Sequence, residues 1–195
     1  MSRPRNTRER ILDAARDLLR ERGPRAVTVA AVAKQVGVTS PALYKHFSSR
    51  RAIVDLLRAE AFARFGAALA RPTRRRKPIE RLLEVGRRYV TFGLEHPNSY
   101  RLLFMSAEEF PPTERELKEP DDAGLQLLMG HIAACQADGA LTGEADTFEL
   151  AVACWAACHG LVSLFLTNGG DARFSRDDYE ALCSRALRAL LTSAQ

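Results

Sequence analysis

The segment over residues 28–47 constrains this chain more than any other. Val29, Val32, Ala33 and Val36 recur at helical spacing behind Thr28, a residue type that caps helix starts. Gly37 follows, and glycine ends a helix in the left-handed conformation without steric cost. A few residues on, Ser40-Pro41 opens a second helix, with Ser as the cap and Pro at the first helical position. This helix is barely two turns long and ends near Phe47.

Helix, glycine turn and short helix make a helix-turn-helix, whose second helix lies in the major groove while the first crosses the DNA backbone. That use asks for short side chains at the front, so the backbone can approach base edges, and for groups that meet phosphate. Thr39, Ser40, Pro41 and Ala42 supply both, as a helix start with free N–H groups and as short side chains. Leu43 and Phe47, at i and i+4, point inward, which leaves Tyr44, Lys45 and His46 on the outer surface. Thr28 can cap its helix and bond phosphate together. Charge agrees with this reading. Residues 1–77 carry 19 Lys and Arg against 6 Asp and Glu, whereas 78–195 carry 10 against 18. A polyanion is therefore expected at the first part only. An anionic membrane would satisfy the charge, but the short Ser-Pro-opened helix does not suit one.

Helical spacing governs the rest. Asn6 or Thr7 caps a helix burying Ile11, Leu12, Ala15, Leu18 and Leu19, ended by Gly23-Pro24. Ser48 or Ser49 caps a longer one with Ile53, Leu56, Leu57, Phe65 and Leu69 inside. The basic run 71–78 has proline near both ends and reads as a solvated loop. Further helices are expected over 79–95, 98–106 and 121–138, from Thr142 or Asp146 to 167, and from Ser175 to 191. No period-2 alternation persists. The expected fold is all-α with about nine helices. A helix-turn-helix DNA-binding domain is expected over 1–52 and a helical domain over 53–195. No apolar run approaches the roughly 20 residues that span a bilayer. The charged N-terminus lacks the apolar stretch of a secretory signal. A cytoplasmic protein with no membrane partner is expected.

Residues 28–47, Thr-Val-Ala-Ala-Val-Ala-Lys-Gln-Val-Gly-Val-Thr-Ser-Pro-Ala-Leu-Tyr-Lys-His-Phe, closely resemble the signature of TetR-type transcriptional regulators, as do residues 8–15. After the Phe, the family pattern has Ser-Lys-Glu and two apolar residues. Ser49-Arg50-Arg51-Ala52-Ile53 stands there, so Arg50 keeps the cation and Arg51 departs from the common acid. The resemblance implies a homodimer on a roughly palindromic operator, released when a small molecule of unknown identity fills the second domain. It also implies DNA contact by Thr28, Thr39, Ser40, Pro41, Ala42, Tyr44, Lys45 and Arg50, with Arg3 and Arg5 as an arm. His46 joins this set from its outward position. Repression is what the resemblance implies; activation is the alternative.

In the acidic half, residues 96–105 and Trp155-Ala156-Ala157-Cys158-His159-Gly160-Leu161 resemble a C-terminal domain class named for its Trp-His-Gly positions. Trp155 and His159, at i and i+4, share one helix face. A ligand cavity between helices is expected to be mainly apolar, with Phe92, Phe104, Met129, Trp155 and His159 as candidate lining. Each apolar one could equally be ordinary core, and His159 is the favoured polar group. Val152, Val162, Leu166, Leu182, Leu187 and Leu190 form apolar faces on the last two helices, which the resemblance assigns to the dimer. At helical spacing the first three fall beside Trp155 and His159, so one side cannot serve dimer and cavity along its whole length.

Cys135, Cys154, Cys158 and Cys183 lack the paired close spacing of zinc sites and read as buried free thiols. A metal site on Cys154, Cys158 and His159 would need a further ligand, such as His131 or Cys135. A redox- or metal-sensing regulator is thus an alternative, with no metal or cofactor in the favoured reading. There is no nucleophile–base pair, phosphate-binding glycine loop or paired-carboxylate motif, so no enzyme is expected.

Overall fold

The computed structural model describes residues 6–114, 118, 122–142, 145–169 and 175–193. Among these it contains nine α-helices, one 3-10 turn and no strand. The helices are α1 (Thr7–Arg22), α2 (Val29–Val36), α3 (Ser40–Tyr44), α4 (Arg50–Leu69), α5 (Pro78–Glu95), α6 (Pro97–Phe104), α7 (Ala123–Ala137), α8 (Thr147–Asn168) and α9 (Arg176–Ser193). The 3-10 turn, Pro24–Ala26, lies between α1 and α2. Two compact units result: residues 1–64 with 96–117, and residues 65–95 with 118–195. These cuts differ from a division at residue 52. The first fifteen residues of α4, with α6 and the segment after it, pack with the helix-turn-helix.

The helix ends of the first unit follow from local chemistry. The Asn6 side chain accepts from the Glu9 backbone N–H at 2.9 Å, and the Glu9 carboxylate accepts from Asn6 N–H at 3.2 Å. This reciprocal box satisfies two donors that a helix start leaves open. Gly23 ends α1 at φ +84°, and its N–H bonds the Leu19 carbonyl at 3.0 Å. Thr28 caps α2 by accepting from Ala31 N–H at 3.1 Å, and Gly37 closes it at φ +77°. Ile11, Ala15, Leu18, Val27, Val32, Leu43, Ile53, Leu57 and Leu102 form the shared core. Arg16 ties α1 to α4 through two hydrogen bonds to Glu60, of 2.5 and 2.8 Å. Those bonds hold the Glu60 carboxyl below its usual range. Both side chains are over a third exposed, so solvent screens the pair and its contribution is small.

In the second unit α5 is central and packs on α7, α8 and α9. Arg87 on α5 bridges Glu84 and Glu180 at 2.8 and 3.1 Å, and the Thr91 hydroxyl donates to Glu180 at 2.6 Å. The basic run has exposed side chains at 74–77, as expected, while Arg81 and Arg88 hold its backbone carbonyls. Asp146, the second of two expected caps, starts α8 by accepting from Phe148 and Glu149 N–H. Over 147–167 this helix is long and apolar enough to cross a membrane by length and composition, which corrects the expectation that no such run exists. Here its Ala151, Cys154, Cys158 and Val162 line is core of the unit.

Candidate nucleic-acid interface and sensor cluster

α3 is shorter than its sequence pattern suggests. It ends at Tyr44, and the N–H groups of His46 and Phe47 both turn back to the Leu43 carbonyl, at 2.9 and 3.1 Å. Its cap is Thr39, whose Oγ1 accepts from Ala42 N–H at 3.3 Å, and this corrects the expectation of Ser40. Thr and Ser both cap well, and Pro41 is tolerated at either of the first two helical positions because neither N–H has an intrahelical partner. Leu43 is fully buried and is the only buried residue of α3. Phe47 is also buried, with the Arg8 guanidinium 4.9 Å from its ring centroid.

The outward set sits as expected. Tyr44 is 51% exposed, and Lys45, His46, Thr28, Thr39 and Pro41 are exposed, with Ser40 and Ala42 half-buried. Hydroxyl, ammonium and imidazole are thus exposed next in sequence to small residues, a set suited to phosphates flanking a groove. Arg3 and Arg5 lie outside the described residues. Arg50 stands apart from this set. Its Nε donates to the Val27 carbonyl at 2.5 Å, and its Nη2 donates to Glu109 Oε1 at 2.7 Å. The cation expected on phosphate is turned into the protein, toward a carboxylate that the sequence reading passed over.

In the second unit, Trp155 and His159 meet at a third residue, Tyr89 of α5. The Trp155 indole N–H donates to the Tyr89 hydroxyl at 3.1 Å, and that hydroxyl shares a 3.3 Å hydrogen bond with His159 Nδ1. Burial holds the His159 imidazole below its usual range, so it is neutral at pH 7. Phe65 stacks edge-on against both Tyr89 and Phe92 at 5.2 and 5.1 Å. Tyr89 was missed, although its i, i+3 spacing with Phe92 marks an inward face of α5. Met129 is half-buried in the same unit. Phe104 falls in the first unit, against Phe62 and Tyr100, while the other four candidates belong to the second.

Of the six expected dimer residues, Val162, Leu166 and Leu187 are buried within the protomer. Leu182 and Leu190 are half-buried, and Val152 is exposed. The large apolar side chains that α8 leaves outside are Phe148, Val152, Trp155 and Leu164. All four cysteines are free and buried, as expected. Burial pushes Cys154 up to about 11, and Cys158, hydrogen-bonded to Cys183 with a 3.6 Å sulfur separation, is pushed up as well. Both are protonated thiols at neutral pH.

Two family models match the chain: bacterial regulatory proteins of the tetR family over residues 11–57, and the tetracyclin repressor-like C-terminal domain over 82–190. The description of the second does not single out the Trp-His-Gly class. The chain is 30% identical over 150 residues to the HTH-type transcriptional repressor KstR2 of Rhodococcus jostii (strain RHA1), covering 74% of this chain and 72% of the relative. It is 27% identical over 103 residues to the HTH-type transcriptional regulator YobS of Bacillus subtilis (strain 168), covering 53% and 54%. The match thus spans about half the length of that relative. A structure of a protein of unknown function from Rhodococcus sp. RHA1 superposes with a TM-score of 0.80 at 25% identity, covering 100% of both chains. With a tetR-family head, a tetracyclin repressor-like second half and a helix-turn-helix that presents Tyr44 and Lys45, this chain belongs to the TetR family of DNA-binding transcriptional regulators, and not to an enzyme family.

Proposed function

We propose that this protein is a cytoplasmic repressor that binds a palindromic operator as a homodimer and leaves it when a small apolar or aromatic effector occupies the second unit. The observation that carries the DNA half is α3: one buried anchor, Leu43, holds Tyr44, Lys45 and His46 outward together. Thr28 and Thr39 add exposed hydroxyls at the starts of α2 and α3. A homodimer supplies the second reading head that a palindrome requires. Exposed Val152 and Leu164, with half-buried Leu182 and Leu190, offer apolar surface for that contact.

Lys45→Ala tests the DNA half. Log affinity falls with log salt at about 0.9 per phosphate contacted, so loss of one contact flattens the slope by about that amount. Binding to the operator and to random duplex should weaken alike, because a phosphate contact carries no base information. An unchanged slope, or a selective loss of operator preference, would count against the assignment.

The effector half rests on the Tyr89–Trp155–His159 cluster, which joins polar groups of two helices amid Phe65 and Phe92. A neutral imidazole suits an uncharged ligand better than an anion. In a thermal-shift screen of neutral aromatic compounds, those that release operator DNA should also raise the melting temperature of the free protein. Binding at 100 times Kd stabilises by about 2.7 kcal/mol, and linkage lowers DNA affinity by the same coupling. Trp155→Ala should remove both effects. If compounds that release DNA leave the melting temperature unmoved, the induction model fails.

A further inference from the structure

Arg50 opens α4, directly after Ser49, whose Oγ accepts from Ala52 N–H at 3.1 Å. Its guanidinium reaches two other parts of the first unit. Toward the helix-turn-helix it donates to the carbonyls of Val27, at 2.5 Å, and Pro24, at 3.4 Å. Those carbonyls bracket the 3-10 turn leading into Thr28, the cap of α2. Toward the segment after α6 it donates to Glu109 Oε1 at 2.7 Å, and its carbon lies 4.7 Å from the centroid of the Phe110 ring. Glu109 also has Arg25 Nε at 4.0 Å from its other oxygen.

That segment is itself built. Glu109 and Phe110 N–H both bond the Ser106 carbonyl, at 3.1 and 2.8 Å, and the Ser106 hydroxyl donates to Leu102 at 2.8 Å. Two more arginines of α4 hold it: Arg51 donates to the Pro111 carbonyl at 2.6 Å and Arg58 to the Phe110 carbonyl at 3.1 Å. A phosphate contact would have to draw the guanidinium from a charge-assisted bond of near-ideal length, which is among the stronger hydrogen bonds a protein makes. It would also release the two carbonyls that fix the approach to α2.

We propose that Arg50 is a positioning residue for DNA binding, locking the start of α2 to α4 and to the 106–111 segment, and that Glu109 holds it in that place. Operator affinity then depends on Arg50 and Glu109 although neither touches DNA. The inference rests on the reading of the outer face of α3 as the DNA contact. It assigns Glu109 a role that runs against plain electrostatics, since removing a carboxylate near DNA ordinarily tightens binding.

The test uses the full chain and a duplex that the wild-type protein selects from a random-sequence pool. Affinity is titrated between about 50 and 200 mM salt, the range over which phosphate contacts are read. Glu109→Gln and Arg50→Gln should each weaken binding several-fold with the salt slope of wild type. Arg50→Lys should be nearly as weak as Arg50→Gln, because an ammonium keeps the charge but cannot span three acceptors as the planar fork does. The inference is overturned if Arg50→Gln flattens the slope by about 0.9 while Arg50→Lys binds like wild type. It is also overturned if Glu109→Gln binds as tightly as wild type or tighter. Lys45→Ala in the same titration isolates the supporting reading: an unchanged slope there sinks the α3 interface. The Arg50→Gln and Arg50→Lys comparison still decides whether Arg50 contacts phosphate.

Discussion

Leu43→Ala is expected to lower operator affinity at least tenfold while leaving the second unit folded. α3 has five residues and one buried side chain, and that side chain is fully enclosed. So short a helix has no stability of its own, since isolated helices below about 12 residues are marginal in water. Truncating a buried Leu to Ala removes about 2–5 kcal/mol. Every 1.4 kcal/mol is a factor of ten, so even part of that loss, felt in the docking of α3, exceeds the threshold. Phe47 is a second anchor, but it follows α3 and is reached through the same Leu43 carbonyl. Fluorescence anisotropy on operator DNA would measure the loss, and amide exchange should locate the loosened region at residues 39–47. Binding within twofold of wild type would show that α3 is held by something other than Leu43.

Gly86→Val should destabilise the second unit by about 3 kcal/mol, the upper part of the usual range for overpacking a filled core. A Cβ at this position would stand 2.3 Å from Leu187 Cδ1 and 3.5 Å from the sulfurs of both Cys158 and Cys183. Leu187 is itself almost wholly buried, so moving its methyl displaces core neighbours. Gly86→Ala is a milder case, because alanine recovers about 1 kcal/mol of helix propensity against the same clash. Pairing Gly86→Ala with Leu187→Ala removes the obstructing methyl, and the pair should be less destabilised than the sum of the two single variants. Denaturant unfolding followed by Trp155 fluorescence reads this unit. Additive losses in the double variant would place the strain elsewhere.

The helix ends and the outer face of α3 were legible in the sequence because their causes are local. Asn6 with Glu9, Thr28, Gly37 and Asp146 act on backbone groups within four residues, and Tyr44 and Lys45 face outward because Leu43 and Phe47 take the inward positions. The cap of α3 slipped by one residue, since Thr39 and Ser40 are equally good acceptors side by side. α8 shows where local signals end. It is apolar on nearly every side, so periodicity alone does not tell that Val162 and Leu166 are buried within the protomer.

Tertiary structure alone decided which distant groups meet. Nothing near Gly86 in the chain announces Leu187. Nothing near Trp155 and His159 announces Tyr89, whose hydroxyl joins them. Arg50 is a surface cation by its sequence neighbours, yet Glu109, 59 residues on, and two carbonyls before α2 claim its hydrogen bonds. The sequence by itself determined an all-helical chain with a helix-turn-helix that turns Tyr44 and Lys45 outward, because helix period, caps and charge are properties of short segments. The partners of Arg50, Tyr89 and Gly86 depend on which faces of α4, α5 and α9 come together, and that is settled only when the cores of the two units close.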